Sequence, residues 1–314
     1  MKTKRFFTEK KFYIPIILIA MFLWGSAFPA LKISYDIFKI PQEDYFAKIY
    51  FAGLRFFISG LFVILYIKLF VKEKVDYKKL NYKFLTILAL FQITLQYIFY
   101  YIGVGNTSGM KSAILQSSAT FLIVLISAMV FKDDKLNRNK VAAIVIGFIG
   151  IIVTNIGSNF DFNFKLTGEG FLFLAAFFSS IGHVYMKAKG NSTNAVVATC
   201  FQMIIGSIFL ILLGKIGMKS TLVWNFEGVV LLLYSGFLSA TAFTLWYGVL
   251  KYNKAGEVSI YMLFIPIFGA ILSAVFIPGE SFTLNIFLGL IIVVTGIIVL
   301  NLKNSSELVN YKSY

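Results

Sequence analysis

Apolar residues run through the chain in blocks of about twenty, separated by short clusters rich in lysine, aspartate, asparagine and glycine. A block of that length is what a hydrocarbon layer about 30 Å thick requires of an α-helix. The pattern predicts ten spans, at 13–34, 46–68, 83–103, 108–131, 139–157, 168–187, 194–214, 227–250, 255–277 and 285–302. The connections are short, the longest about 10–15 residues, which leaves no room for a soluble catalytic domain. The expected fold class is an all-α membrane protein, and whatever the chain does it does within the bilayer.

Composition excludes the alternative that 314 residues would otherwise suggest, two or three soluble domains. Apolar residues make up 59% and charged residues 14%, with a mean hydropathy of +0.82, against roughly 25% charged in soluble proteins. One cysteine, Cys200, allows no intrachain disulfide, and one histidine, His183, stands apart from any ligand cluster. No metal, cofactor or catalytic constellation is expected.

The net charge of +15 would point to nucleic acid in a soluble chain. Its distribution points to topology instead. With the N-terminus inside, twenty-one lysines and arginines fall in inner segments and six in outer ones, while Lys32 and Arg55 lie within spans. The positive-inside rule then places both termini in the cytoplasm of a cell-membrane protein. The expected partners are the lipid bilayer and a small-molecule substrate, with no nucleic acid, and the protein is expected as a monomer or homodimer. The charged start, apolar stretch and Ala27-Phe28-Pro29-Ala30 superficially fit a cleaved signal, but proline inside that site is unfavourable. The segment is read as the first span.

Laying 108–155 on 254–301 without gaps aligns two helix pairs. Ser127-Ala128 falls on Ser273-Ala274, Gly150-Ile151-Ile152-Val153 on Gly296-Ile297-Ile298-Val299, Asn139 on Asn285, Asn155 on Asn301, and Asp134 on Glu280. Five spans per half is an odd number, so the halves, 1–157 and 158–314, insert in opposite directions. Two inverted five-helix repeats are the architecture of alternating-access secondary transporters.

Several motifs, in order, then resemble one family. Leu-Trp-Gly-Ser-Ala-Phe-Pro-Ala-Leu-Lys (23–32), Gly-Leu-Arg-Phe-Phe-Ile-Ser-Gly-Leu (53–61), and the stretch from Glu257 through Pro266 to Gly279-Glu280 are similar to signatures of EamA-type members of the drug/metabolite transporter superfamily. The chain departs from the pattern in its first half, where Thr120 stands opposite Pro266 and Lys132-Asp133-Asp134 replaces Leu-Gly-Glu. The resemblance implies export or exchange of a metabolite and does not name it.

The candidate site residues follow from what polar groups cost inside a membrane. A cation at membrane depth normally faces the protein interior. Arg55, nine residues into its span, is expected to hold a substrate carboxylate with paired hydrogen bonds or to bind backbone carbonyls. Lys32, near the outer end of its span, either contacts substrate or snorkels to the interface. Stripes at i, i+4, i+8 place Gln92, Gln96 and Tyr100 on one face, Ser112, Gln116 and Thr120 on another, and Ser179, His183 and Lys187 on a third. Interhelical hydrogen bonding explains such faces as well as substrate does, and His183 is read as structural. Trp24, Tyr97, Trp246, Tyr247 and Tyr261 are candidate aromatic walls. Pro29 and Pro266 are expected to break their helices and free the carbonyls of Gly25 and Met262 for a cavity or gate.

No acidic residue lies at mid-span. That disfavours the proton-for-drug exchange of the small multidrug-resistance relatives, whose working residue is a mid-membrane glutamate. The leading expectation is an exporter or exchanger of a small metabolite, an amino acid or related carboxylate. The alternatives are a flippase for a lipid-linked head group and, more remotely, an intramembrane enzyme. The lone Asp133-Asp134 pair is a poor magnesium–diphosphate site for the last.

Overall fold

The computed structural model of the protein describes residues 2–71, 75–106, 109–154, 165–277 and 282–301. Lys72, Lys74, Asn155, the Gly279-Glu280 turn, Lys303 and Lys312 lie outside the described residues, as do the side chains of Lys2, Lys4, Lys111, Ser112 and Asn301. All regular structure among the described residues is helical.

A short helix not expected from the sequence, α1 (Lys2–Thr8), precedes the first long one. The chain turns extended at Glu9, whose carboxylate pairs with Arg5 and Lys11. Then come α2 (Lys10–Ile37) and α3 (Tyr45–Phe70). The third span is composite, with α4 (Tyr82–Ala89), a π-helical turn at Leu90–Leu95 and α5 (Gln96–Asn106). The first half closes with α6 (Gly109–Val130) and α7 (Arg138–Thr154). The second half opens with a π turn at Leu166–Gly170 running into α8 (Phe171–Lys189). It continues through α9 (Ala195–Gly217) and α10 (Phe226–Tyr252). A second composite segment has α11 (Ala255–Val258), a 3₁₀ stretch at Ser259–Leu263 and α12 (Phe264–Phe276). The last helix is α13 (Leu284–Asn301).

The helix starts are written in the sequence by short polar side chains. Asp44, Asn81, Asn194 and Asn225 each accept a backbone N–H from the first turn that follows, which meets part of the donor deficit every helix carries at its N-terminus. α2 ends with Lys39 in the left-handed region (φ 54°) two residues before Pro41, a stop in which the chain cannot continue helical.

Seven helical segments among the described residues are long and apolar enough to cross a membrane, and Leu115–Val130 and Leu284–Leu300 form shorter apolar helices. Large apolar side chains such as Met129, Ile216 and Phe226 are exposed on the outer faces, as a protein solvated by lipid requires. Inside, the packing has a two-fold pattern. α3 lies along α9, and α7 along α13; α2 packs on α10 and α12, while α8 packs on α5 and α6. These pairings map onto each other when each of the first five predicted spans is exchanged for its counterpart five spans later.

Candidate functional site

Between these helices lies a cavity of about 90 Å³ lined from α2, α3, the Leu90–Leu95 turn, α5, α6, α8, α10 and the broken Ala255–Phe276 segment. Predicted residues that meet there include Trp24, Arg55, Gln92, Gln96, Tyr97, Tyr100 and Gln116. Among the described residues Arg55 is the one formal charge in its wall, and no carboxylate faces it.

Arg55 is 4% exposed and its guanidinium is held from α10. Nη2 donates to Ser239 Oγ at 2.8 Å, and Nε donates to Ser239 Oγ at 3.2 Å and to the Ser235 carbonyl at 3.3 Å. The cation also sits 5.3 Å from the centre of the Phe56 ring. The guanidinium thus binds a backbone carbonyl and a hydroxyl while lining the cavity.

The amide wall depends on the π turn. One extra residue per turn at Leu90–Leu95 brings Gln92 wholly into the interior, where its Nε2 donates to Gln96 Oε1 at 3.2 Å and lies 3.5 Å from His183 Nε2. Gly182 makes room: a Cβ there would overlap Gln92 Oε1. His183 Nδ1 is 2.8 Å from the Ser179 carbonyl. A carbonyl only accepts, so Nδ1 carries the proton and the lone pair of neutral Nε2 faces the Gln92 amide. Ser179 and His183, read from the sequence as a structural face, both line the cavity.

Aromatic rings complete the wall. Trp24 meets Phe243 edge-on with centroids 5.0 Å apart, and Tyr97 packs on Phe56 at 4.3 Å. The sequence reading left Phe28, Phe243, Met262 and Ile265 out of the site, though they line it. Nothing separates them from ordinary packing residues in a chain with 35 phenylalanines.

The remaining candidates sit elsewhere. Trp246 is buried behind the wall, its ring 6.0 Å from that of Trp24 and 5.7 Å from that of His183. Tyr261 is buried in the 3₁₀ stretch and Lys32 is exposed on α2, and neither lines the cavity. Thr120 and Pro266 line an adjoining side pocket. α2 stays helical through Pro29, against the expected break. Ahead of Pro266 the chain does leave α geometry, and there the Phe264 N–H turns back to the carbonyls of Tyr261 and Met262.

Polar ties close both ends of the bundle. At one end Asp134, 1% exposed, forms an ion pair with Lys140, accepts the Ser127 hydroxyl, and accepts the Gly256 N–H at 2.7 Å. At the other, Asp44 accepts the Ala47 N–H at 3.0 Å, the Lys219 N–H at 3.0 Å, and both the N–H and the hydroxyl of Ser220 at 2.8 Å. Burial pushes the Asp44 carboxyl up, but the donors of Ala47, Ser220 and Lys219 outweigh it and hold the group below the ordinary carboxylate value.

A buried, singly charged cavity at the centre of a lipid-solvated helical bundle is the arrangement of a membrane carrier. The model of the EamA-like transporter family matches residues 11–156 and again residues 166–302, and the chain belongs to that family; it is a membrane-embedded transporter of the drug/metabolite type. It is 25% identical over 295 residues to the uncharacterized transporter YvbV of Bacillus subtilis (strain 168), covering 93% of this chain and 92% of the relative. It is 25% identical to a probable amino-acid metabolite efflux pump of Escherichia coli (strain K12) and 23% identical to one of Salmonella typhimurium (strain LT2), each over 90% of this chain and 92% of the relative. A crystal structure at 17% identity aligns with a TM-score of 0.76, over 93% of this chain and 97% of that one, a likeness of fold.

Proposed function

We propose that the protein exports or exchanges a small carboxylate-bearing metabolite, an amino acid or a close relative, by alternating access across the cell membrane. The observation that carries this reading is Arg55: a buried guanidinium, braced by Ser239, in a cavity where no carboxylate among the described residues neutralises it. An unpaired buried cation favours an anionic partner, and a guanidinium presents two parallel donors to a carboxylate. Amides and aromatic rings around it suit the rest of a small polar metabolite. The names of the two efflux-pump relatives support the same class.

The wider architecture belongs to this proposal. Ten spans in two inverted halves, 1–157 and 158–314, with both termini in the cytoplasm, are supported by the two family matches, the two-fold packing pattern and the lysine distribution. Exchanging the conformations of the halves would open the cavity to one side and close it to the other.

Counterflow in proteoliposomes tests the reading. Vesicles preloaded with an unlabelled amino acid should accumulate the labelled one from outside, and Arg55→Ala should abolish accumulation while eluting as folded protein. Failure of the wild type with every amino acid tried would refute the substrate class and turn the search to phosphorylated and lipid-linked solutes.

A further inference from the structure

We infer that the side pocket between α2, α6 and α12 is a second, uncharged subsite that receives the end of the substrate remote from Arg55, and that it selects for a group able both to donate and to accept a hydrogen bond. This rests on the transport reading above.

The pocket has a volume of about 30 Å³, room for a short group only, and shares Phe28, Gln116, Met262 and Ile265 with the main cavity. A molecule held at Arg55 that extends toward α6 therefore meets this shared partition next. Beyond it stand Thr120 and Pro266.

Thr120 is the informative residue. It is 2% exposed on a membrane helix. Four buried hydroxyls of this chain turn back to the carbonyl four residues earlier, Ser34 to Ala30 at 2.7 Å, Ser59 to Arg55 at 2.9 Å, Ser180 to Ala176 at 2.6 Å and Thr199 to Ala195 at 2.9 Å, whereas those of Thr244 and Ser259 are buried without a partner. Thr120 makes no such bond, and its hydroxyl has no hydrogen-bond partner among the described residues. One turn earlier on the same helix, Gln116 Oε1 is buried without a partner as well. A buried amide oxygen with nothing to bond is costly, and the Thr120 side chain stands one turn away in the wall of the same pocket.

The two groups define what would satisfy them. The hydroxyl can give a proton to an acceptor, and the amide oxygen needs a donor. A hydroxyl or carboxamide on the substrate supplies both. Apart from Ser117, the rest of the lining, Phe28, Met262, Ile265 and Pro266, is apolar and none of it is charged, so an ammonium or second carboxylate would be desolvated there with no counter-charge. The assigned ligand is a small metabolite with a carboxylate at one end and a short, neutral, hydrogen-bonding group at the other.

Counterflow with a panel of amino acids tests this. Side chains ending in a hydroxyl or carboxamide are compared with apolar ones of matched size and with lysine and glutamate. The wild type should exchange the neutral polar set best and the charged set least. Thr120→Val, nearly the same shape, should lower exchange of the polar set about tenfold relative to the apolar set, the worth of about one hydrogen bond. Thr120→Ser should keep the wild-type preference. A Thr120→Val protein with an unchanged polar-to-apolar ratio, or with all substrates reduced alike, would overturn the subsite. If the valine variant does not fold, Gln116→Leu puts the same ratio to the test. A wild type that exchanges amino acids, loses exchange in Arg55→Ala and ignores both α6 substitutions would refute the subsite and leave the transport reading standing. A wild type that exchanges none would refute both.

Discussion

Arg55 and Ser239, 184 residues apart in the chain, meet in the interior with Nη2 2.8 Å from Oγ. The contact fixes the cavity's cation to a helix of the other half before any ligand arrives. A guanidinium that already has a neutral partner is oriented without being neutralised, so its charge stays available to the cavity.

Ser239→Ala should therefore separate binding from folding. A hydrogen bond to a charged group contributes about 1.5–3 kcal/mol, and its loss should lower the thermal midpoint in detergent by a few degrees. Exchange should persist with a raised KM, because the guanidinium is still present but no longer braced. Arg55→Lys, which keeps the charge and loses the planar fork, should fall at least tenfold in exchange rate.

The Asp134–Lys140 pair is a stability prediction. Both side chains are nearly inaccessible, at 2% and 3%. Removing one partner of such a pair typically costs about 3–5 kcal/mol, whereas replacing both by apolar groups of similar volume is often neutral. Lys140→Met should lower the thermal midpoint sharply, and Asp134→Asn combined with Lys140→Met, which removes both charges and keeps an acceptor for Ser127 and Gly256, should recover much of the loss. Thermal unfolding of the three variants checks this, and a double variant no better than the single one would refute it.

Asp44 sets a pH dependence. Its folded-state pKa lies below the ordinary value of 3.8, so its contribution is fully present above that value and is lost as pH falls through the folded pKa. Asp44→Asn should be less stable than the wild type by a constant margin at neutral pH. The margin should shrink below about pH 4, as the wild-type carboxyl takes up its proton. Unfolding midpoints of both proteins from pH 7 to pH 3 give the comparison.

Gly182→Ala probes the amide wall. The new methyl would overlap Gln92 Oε1, so the amide must leave its position beside Gln96 and His183. Overpacking of this kind costs about 1–3 kcal/mol. The measurable result is a lower thermal midpoint together with altered substrate selectivity, and a variant indistinguishable from wild type in both would show that the amide is free to move.

Much of this was legible because a membrane penalises polar groups so heavily. Arg55, Gln92, Gln96 and Gln116 stood out as interior residues since no lipid-facing position tolerates them, and the cavity wall contains all four. Helical spacing also joined Gln92 to Gln96, though the π turn between them could not be read from a period of four. What stayed hidden was apolar: Phe28 and Ile265 line the cavity with side chains no different in kind from those facing lipid. That His183 also lines the cavity was not legible from counting residues along its helix, because its place beside Gln92 depends on how α8 crosses the third span. Lys32 was left open between substrate contact and snorkelling, because its position along the span does not say which way α2 is rotated; the side chain is exposed.

The seam between α3 and α9 carries a mechanical consequence. At Gly53 a Cβ would fall 2.8 Å from the backbone nitrogen of Ile211, and at Gly214 one would overlap the backbone of Tyr50, so main chain meets main chain near one end of the contact. Helices in such intimate register resist sliding, because any shift drives a side chain into a space only hydrogen fits. They still permit a small rotation about their shared line. For the alternating access proposed above, the seam would then serve as the fulcrum, the line about which tilting one half against the other spreads the bundle at one membrane face while pinching it at the opposite face.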